Sequence, residues 1–172
     1  PEHGSEQDLI VSRRTKLTVR VPAERIEQLL TDLPGTRLQL DGCPLCVGPG
    51  KVRLLSRETT LFARYVVADP ATDEETFLTA AATELRRMGI HVRKALCGRS
   101  AALAAPGGEI HTRSLMLADL TQEESLRLQR LGLGPHRLMG CGVFIPHKGI
   151  DAVAKTRSSR RPPASPRHAL PA

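Results

Sequence analysis

Gly132-Leu133-Gly134-Pro135-His136-Arg137-Leu138-Met139-Gly140-Cys141-Gly142-Val143-Phe144-Ile145-Pro146-His147-Lys148 holds two Gly-x-Gly pairs, with basic residues before and after the second pair. Glycine reaches positive φ without a Cβ penalty and lets a ligand backbone come close. Paired glycines beside Arg137 and Lys148 therefore suit a grip on phosphates. The same residues admit a second account. Gly132 and Gly134 directly follow a helical stretch, where glycine commonly caps the C-terminus, and Gly142 can relieve a bulged strand. A nucleotide P-loop is excluded by order, because this loop feeds a strand rather than a helix and lacks the Gly-Lys-Ser/Thr ending.

Working outward, Thr121 and Glu124 have capping-box spacing and start a helix over 121–131, with Leu128 and Leu131 inward and Arg127 and Arg130 on another side. Upstream, Thr59–Ala68 is apolar on both faces, as a central strand would be, although Arg64 needs an exit to solvent. Thr72 and Glu75 repeat the capping-box spacing. Phe77, Ala81, Leu85 and Met88 then make a helical stripe that ends at Gly89, with Arg86 and Arg87 offsetting the helix dipole in the last turn. Ile90–Leu96 and Glu109–Leu120 read as strands, separated by a small-residue hairpin or loop over 98–108. Residues 59–147 thus follow strand-helix-strand-strand-helix-strand, the ferredoxin-like plan.

Before that unit, Thr15–Val21 alternates like a half-buried strand. Ile26, Leu29, Leu30 and Leu33 mark a helix over 22–32, and Thr36–Leu40 and Lys51–Leu55 read as strands around a Gly/Pro/Cys turn. After Asp151 the chain is Lys/Arg/Pro/Ser/Ala-rich, and 151–172 is expected to be a basic disordered tail.

The formal net charge of the 172 residues is +7, which favours a polyanionic partner or an acidic protein surface. Lys155, Arg157, Arg160, Arg161 and Arg167 belong to the tail, so a nucleic-acid surface on the body must be a local patch. No apolar run reaches membrane-spanning length, and Pro1-Glu2-His3-Gly4 forms no signal peptide. The four cysteines then read as reduced thiols in a cytoplasm. Cys43-Pro44-Leu45-Cys46 has zinc-knuckle spacing, but Cys97 and Cys141 make no second knuckle. The pair is expected to sit on a turn without metal, with a zinc-linked scaffold as a distant alternative. The few aromatic residues, Phe62, Tyr65, Phe77 and Phe144, argue against base stacking as the main device.

Helix, Gly-x-Gly-x5-Gly-x-Gly-x3-Pro and a closing strand resemble the glycine-rich loop of the RAMP proteins of CRISPR systems. Within them, Leu131–Gly134 and Arg137–Pro146, with Arg14–Val21 and Leu120–Arg130, resemble the sixth Cas family, the endoribonucleases that cut CRISPR repeat RNA. The resemblance implies an α+β fold of two tandem ferredoxin-like (RRM-like) domains. The first would be incomplete at 9–56, and the second would span 59–150. It also implies processing of pre-crRNA, retention of the crRNA 3′ hairpin, and assembly with other Cas subunits into a surveillance complex that reaches target DNA. A non-catalytic hairpin-binding subunit is the alternative.

Such cleavage uses the substrate's own 2′-hydroxyl and no metal or other cofactor. It needs an acid and a base near neutral pH, and cations beside the phosphorane. The resemblance places the catalytic histidine at the beginning of the first domain, in the part expected to be missing from this chain, and His3, the histidine upstream of 9–56, is the catalytic candidate left. His91 and His111 read as structural or surface residues on strands. RNA contacts are expected from Arg93, Lys94, Arg99, Arg113, Arg127, Arg130, His136, Arg137, His147 and Lys148, with the backbone at Gly132, Gly134, Gly140 and Gly142.

Overall fold

The computed structural model describes residues 16–40 and 42–148, which belong to two compact units divided after Leu54. His3 and the basic tail lie outside the described residues.

In the first unit a single 3-10 turn, Ala23–Arg25, leads into helix α1, Ile26–Asp32. Strand β1, Arg37–Leu40, then pairs antiparallel with β2, Cys43–Cys46. Two expected strands are absent: residues 16–22 and 51–55 have no regular structure. Alternating polarity is only a disposition, since a strand also needs a neighbour for its backbone groups, and the pairing here is taken up within β1–β2. None of residues 16–39 and 42–54 is buried.

The second unit carries the core. Its elements are β3 (Leu61–Val67), α2 (Glu74–Arg87), β4 (Lys94–Ala105), β5 (Gly108–Ala118), α3 (Gln122–Leu131) and β6 (Ile145–Pro146). The sheet order is β4-β5-β3-β6 and every pairing is antiparallel. This α+β arrangement is compatible with the ferredoxin-like plan. Both helices cover one face, where Phe77, Ala81 and Leu85 of α2 and Leu128 of α3 join Leu61, Ala63, Val66, Leu115 and Leu117 of the sheet. Each large aliphatic side chain buried there contributes about 1.5–3 kcal/mol relative to exposure.

Local chemistry sets the element ends. Asp73, rather than Thr72, caps α2: its Oδ1 accepts from Thr76 N–H at 2.8 Å, and that bond holds the carboxyl below its usual range. The helix begins one residue later than the Thr72/Glu75 spacing suggested because an Asp carboxylate outcompetes a Thr hydroxyl as an acceptor. At α3 the reciprocal capping box of Thr121 and Glu124 is complete. Leu131, expected to point inward, is 44% exposed, because Gly132 ends the helix and Leu133 supplies the buried side chain instead.

Of the two readings of 98–108, hairpin or loop, the structure shows the hairpin. Residues 98–105 continue β4, and Ala105 pairs with Gly108 across a tight Pro106-Gly107 turn. Small residues by composition leave a loop open, and pairing with β5 along one edge makes these residues strand instead.

Two irregularities shape the sheet. Between Ala63 and Val66 of β3, and between Cys97 and Ser100 of β4, the register shifts by one extra residue, and both shifts face Ser114 of β5. At β4, the hydroxyl of Ser114 occupies the space where a Cβ on Gly98 would sit.

Candidate nucleic-acid interface

The glycine stretch folds back on itself and docks on the β3 bulge. Leu133 N–H donates to Gly142 O at 3.0 Å, and Gly142 N–H donates to Tyr65 O at 2.6 Å. A Cβ on Gly142 would collide with the Leu133 backbone, and one on Gly132 would come within 2.6 Å of Gly142 O. With φ of +67° and +64°, Gly132 and Gly142 are where closure of the loop demands glycine.

Between them, residues 135–140 are all exposed, through a short 3-10 turn at Arg137–Met139, with Leu138 at the tip 105% exposed. Several amides that could cradle a phosphate are already used. Gly134 N–H donates to Glu84 Oε1 at 3.2 Å, Met139 and Cys141 N–H donate to His136 O, and Gly140 N–H donates to Arg137 O. The stretch therefore offers side chains to a polyanion more than it offers an amide nest. At Gly134 and Gly140 the space beside the backbone is open, so a ligand can approach there.

The expected RNA-contacting cations divide in two. Arg93 donates from one nitrogen to His91 O, Asp119 O and Glu124 Oε2, and Lys94 pairs with Asp119 at 2.9 Å. Arg113 donates to Thr72 O at 2.7 Å. Arg127 reaches the carbonyls of Met88 and Gly89 at the C-terminal end of α2, and Glu123 on its own helix. Arg93, Arg113 and Arg127 are thus engaged within the fold, while Lys94 makes an exposed surface pair. Arg99, Arg130 and Lys148 are exposed and have no ion pair among the described residues.

Arg137 is intermediate. It is exposed, yet its guanidinium lies over Gly132 and its Nε donates to Gly134 O at 3.4 Å, placing positive charge at the C-terminal end of α3.

Of the histidines, His91 is tied to a buried carboxylate. Glu124, with a side chain 9% exposed, accepts from the backbone N–H groups of Thr121 at 2.8 Å and His91 at 2.9 Å and from Arg93 at 2.7 Å. Burial alone would raise its pKa, but these bonds outweigh burial and bring it down to about 2. His91 Nδ1 lies 3.3 Å from the same carboxylate. His136 is exposed in a left-handed conformation at the start of the loop tip. His147, expected as an RNA contact, is exposed and sets its ring against Phe62, with centroids 5.8 Å apart.

The zinc-knuckle spacing of Cys43 and Cys46 falls on strand β2 rather than on a turn. Residues three apart in a strand project to opposite faces, so this pair is not presented as a knuckle.

A family model described as Cas6 Crispr matches residues 2–149, which include the whole folded-back glycine stretch. The chain belongs to the Cas6 family. Among curated proteins it is similar to the CRISPR-associated endonuclease Cas6 of Myxococcus xanthus (strain DK1622), with 33% identity over 143 residues. That alignment takes in 83% of this chain and 61% of the relative, so the chain spans about three fifths of the length of this Cas6 protein.

Two features of this Cas6 chain escaped the sequence reading. One is the open face of the second sheet around Phe62, where residues remote in sequence become neighbours through strand register. The other is the arginine laid over a glycine at each helix end, Arg127 at Gly89 and Arg137 at Gly132. Positive-φ glycines after two helices were a visible signal for the caps, but not for the arginines that lie on them.

Proposed function

We propose that this chain processes CRISPR repeat RNA as a metal-independent endoribonuclease, keeps the 3′ hairpin of its product, and joins other Cas subunits in a crRNA-guided complex that meets target DNA. The match of the Cas6 family model across residues 2–149 carries this reading. Surface chemistry supports it: Arg99, Arg130 and Lys148 are available to phosphates, and the open backbone at Gly134 and Gly140 leaves room for a ligand strand. The groove between α2 and β4 is unsuited to the same partner, since its rim carries Glu74 and Glu75.

In this reading His3 serves as the general base toward the 2′-hydroxyl, and neighbouring cations stabilise the charge that develops on the phosphorane. The test is a cleavage assay on a repeat hairpin in EDTA, with a 2′-deoxy substitution at the scissile position as control. Cleavage that survives EDTA and disappears with the 2′-deoxy RNA and with His3→Ala supports the proposal. Tight hairpin binding without cleavage would leave a hairpin-binding subunit, and absence of binding would remove the RNA function altogether.

A further inference from the structure

On the sheet face opposite α2 and α3, strand register places four apolar side chains side by side. Leu96 of β4 pairs with Met116 of β5, Met116 with Phe62 of β3, and Phe62 with Ile145 of β6. Their neighbours in sequence, Leu61, Cys97, Leu115, Leu117 and Phe144, point into the core, which confirms that the row faces away from the helices. Leu96 is 55% and Ile145 52% exposed, and the His147 ring leans on Phe62 at an interplanar angle of 53°.

Charge distinguishes the candidate occupants. The aligned positions on this face up to and including the bulges are Lys94, Leu96 and Gly98 on β4, Ser114, Met116 and Ala118 on β5, Thr60 and Phe62 at β3, and Ile145 and His147 at β6. None is acidic. Arg64, in the β3 bulge, and Lys148, after β6, are both exposed near its margins. A second copy docked about a two-fold axis would set such basic margins against each other, and four side chains are a small patch beside the roughly 800 Å² per partner of a stable interface. A polyanion with flat apolar rings meets no such conflict. Base-paired RNA hides its ring faces in the stack, so the bases have to be unpaired.

We propose that this row, centred on the Phe62–His147 pair, seats unpaired bases of an RNA strand contiguous with a hairpin. This rests on the repeat-RNA reading above and adds to it a second contact, made by stacking rather than by charge. A single aromatic ring with an imidazole and three aliphatic neighbours provides one or two base positions, with little sequence preference because every base has a π-face.

The experiment measures binding of the full chain to two RNAs, a bare repeat hairpin and the same hairpin with an unpaired flank of about eight nucleotides, within the usual range of single-strand sites. The flank is placed in turn at each end. Wild-type protein is expected to prefer one flanked RNA. Phe62→Leu, which keeps apolar bulk but loses the ring, is expected to weaken that complex about 5- to 20-fold while changing bare-hairpin binding less than about twofold. Leu96→Glu, at a half-exposed position where folding is not at stake, should act in the same direction, and thermal melts check that both variants are folded.

Equal affinity of wild type for flanked and bare hairpins overturns the proposal, as does an equal change for both RNAs in the folded variants. A Phe62→Leu protein with unaltered RNA binding but altered sedimentation would assign the row to a protein contact and also overturn it. Failure of wild type to bind the hairpin at all would show up separately, as failure of the repeat-RNA reading.

Discussion

The carbonyl oxygen of Leu133 stands where the Cβ of any residue other than glycine at position 142 would project, while Gly142 O accepts the Leu133 N–H at 3.0 Å. Gly132 and Gly142 thus close the loop, and Gly134 and Gly140 lie where nothing crowds them. A motif that looks uniform in sequence contains two chemical roles.

Substitution should separate those roles. Gly142→Ala meets rigid backbone at positive φ and is expected to cost more than about 2 kcal/mol of stability. Gly140→Ala meets only the left-handed conformational penalty, about 1 kcal/mol. Chemical denaturation of the two variants checks the order, and similar losses in both would contradict it.

The arginine over Gly89 gives a second comparison. Arg127→Ala loses its bonds to the Met88 and Gly89 carbonyls and should destabilise by about 1 kcal/mol. Glu123→Ala removes only the exposed i,i+4 partner and should change stability by less than about 0.5 kcal/mol. Thermal melts that ranked Glu123→Ala as the more damaging change would refute this division.

Glu124 makes stability depend on acid. Its folded-state pKa of about 2 lies below the ordinary 4.5, so its contribution is complete above about pH 4.5 and is lost as pH falls through 2. The depression corresponds to stabilisation on the order of 3 kcal/mol. Glu124→Gln should therefore be less stable at neutral pH and show a shallower decline between pH 4.5 and 2, as followed by melting temperature. A parallel decline in both proteins would locate the acid sensitivity elsewhere.

Salt dependence can tell the structural arginines from the surface ones. The combined change of Arg99, Arg130 and Lys148 to Ala is expected to reduce the slope of log affinity against log salt for a repeat hairpin by about two to three. Arg113→Ala, whose guanidinium is held by Thr72 O, should leave that slope within experimental error when the variant is folded. Equal slopes for the triple variant and wild type would remove these three cations from the RNA surface.

The Cys43 and Cys46 thiols are both exposed on β2. Replacing both with Ser is expected to shift stability by no more than about 0.5 kcal/mol, as for ordinary surface changes. Stoichiometric zinc in purified protein that disappears in the double variant would show that the pair takes part in a metal site after all.

Much of the second unit was legible in its residues because the deciding forces are local. The Phe77/Ala81/Leu85 stripe, the Thr121–Glu124 box and the apolar run of β3 each lie within a few residues of what they determine, and Gly132 stops its helix through its own φ. Partner choice was not local. Thr15–Val21 alternates correctly yet Lys16–Val21 forms no strand, whereas the loop-like residues 98–105 do, because pairing depends on which backbone lies alongside.

The same distinction governs the interface. Arginine type and spacing announced a basic protein, but whether each guanidinium is spent on a carbonyl, as in Arg113 and Arg127, or left to solvent, as in Arg99 and Arg130, depends on distant segments brought into contact. Leu96, Met116, Phe62 and Ile145 span 84 positions of sequence and become one row only through register across four strands. No periodicity encodes that row, because the hydrogen bonds that align it join residues that are never neighbours along the chain.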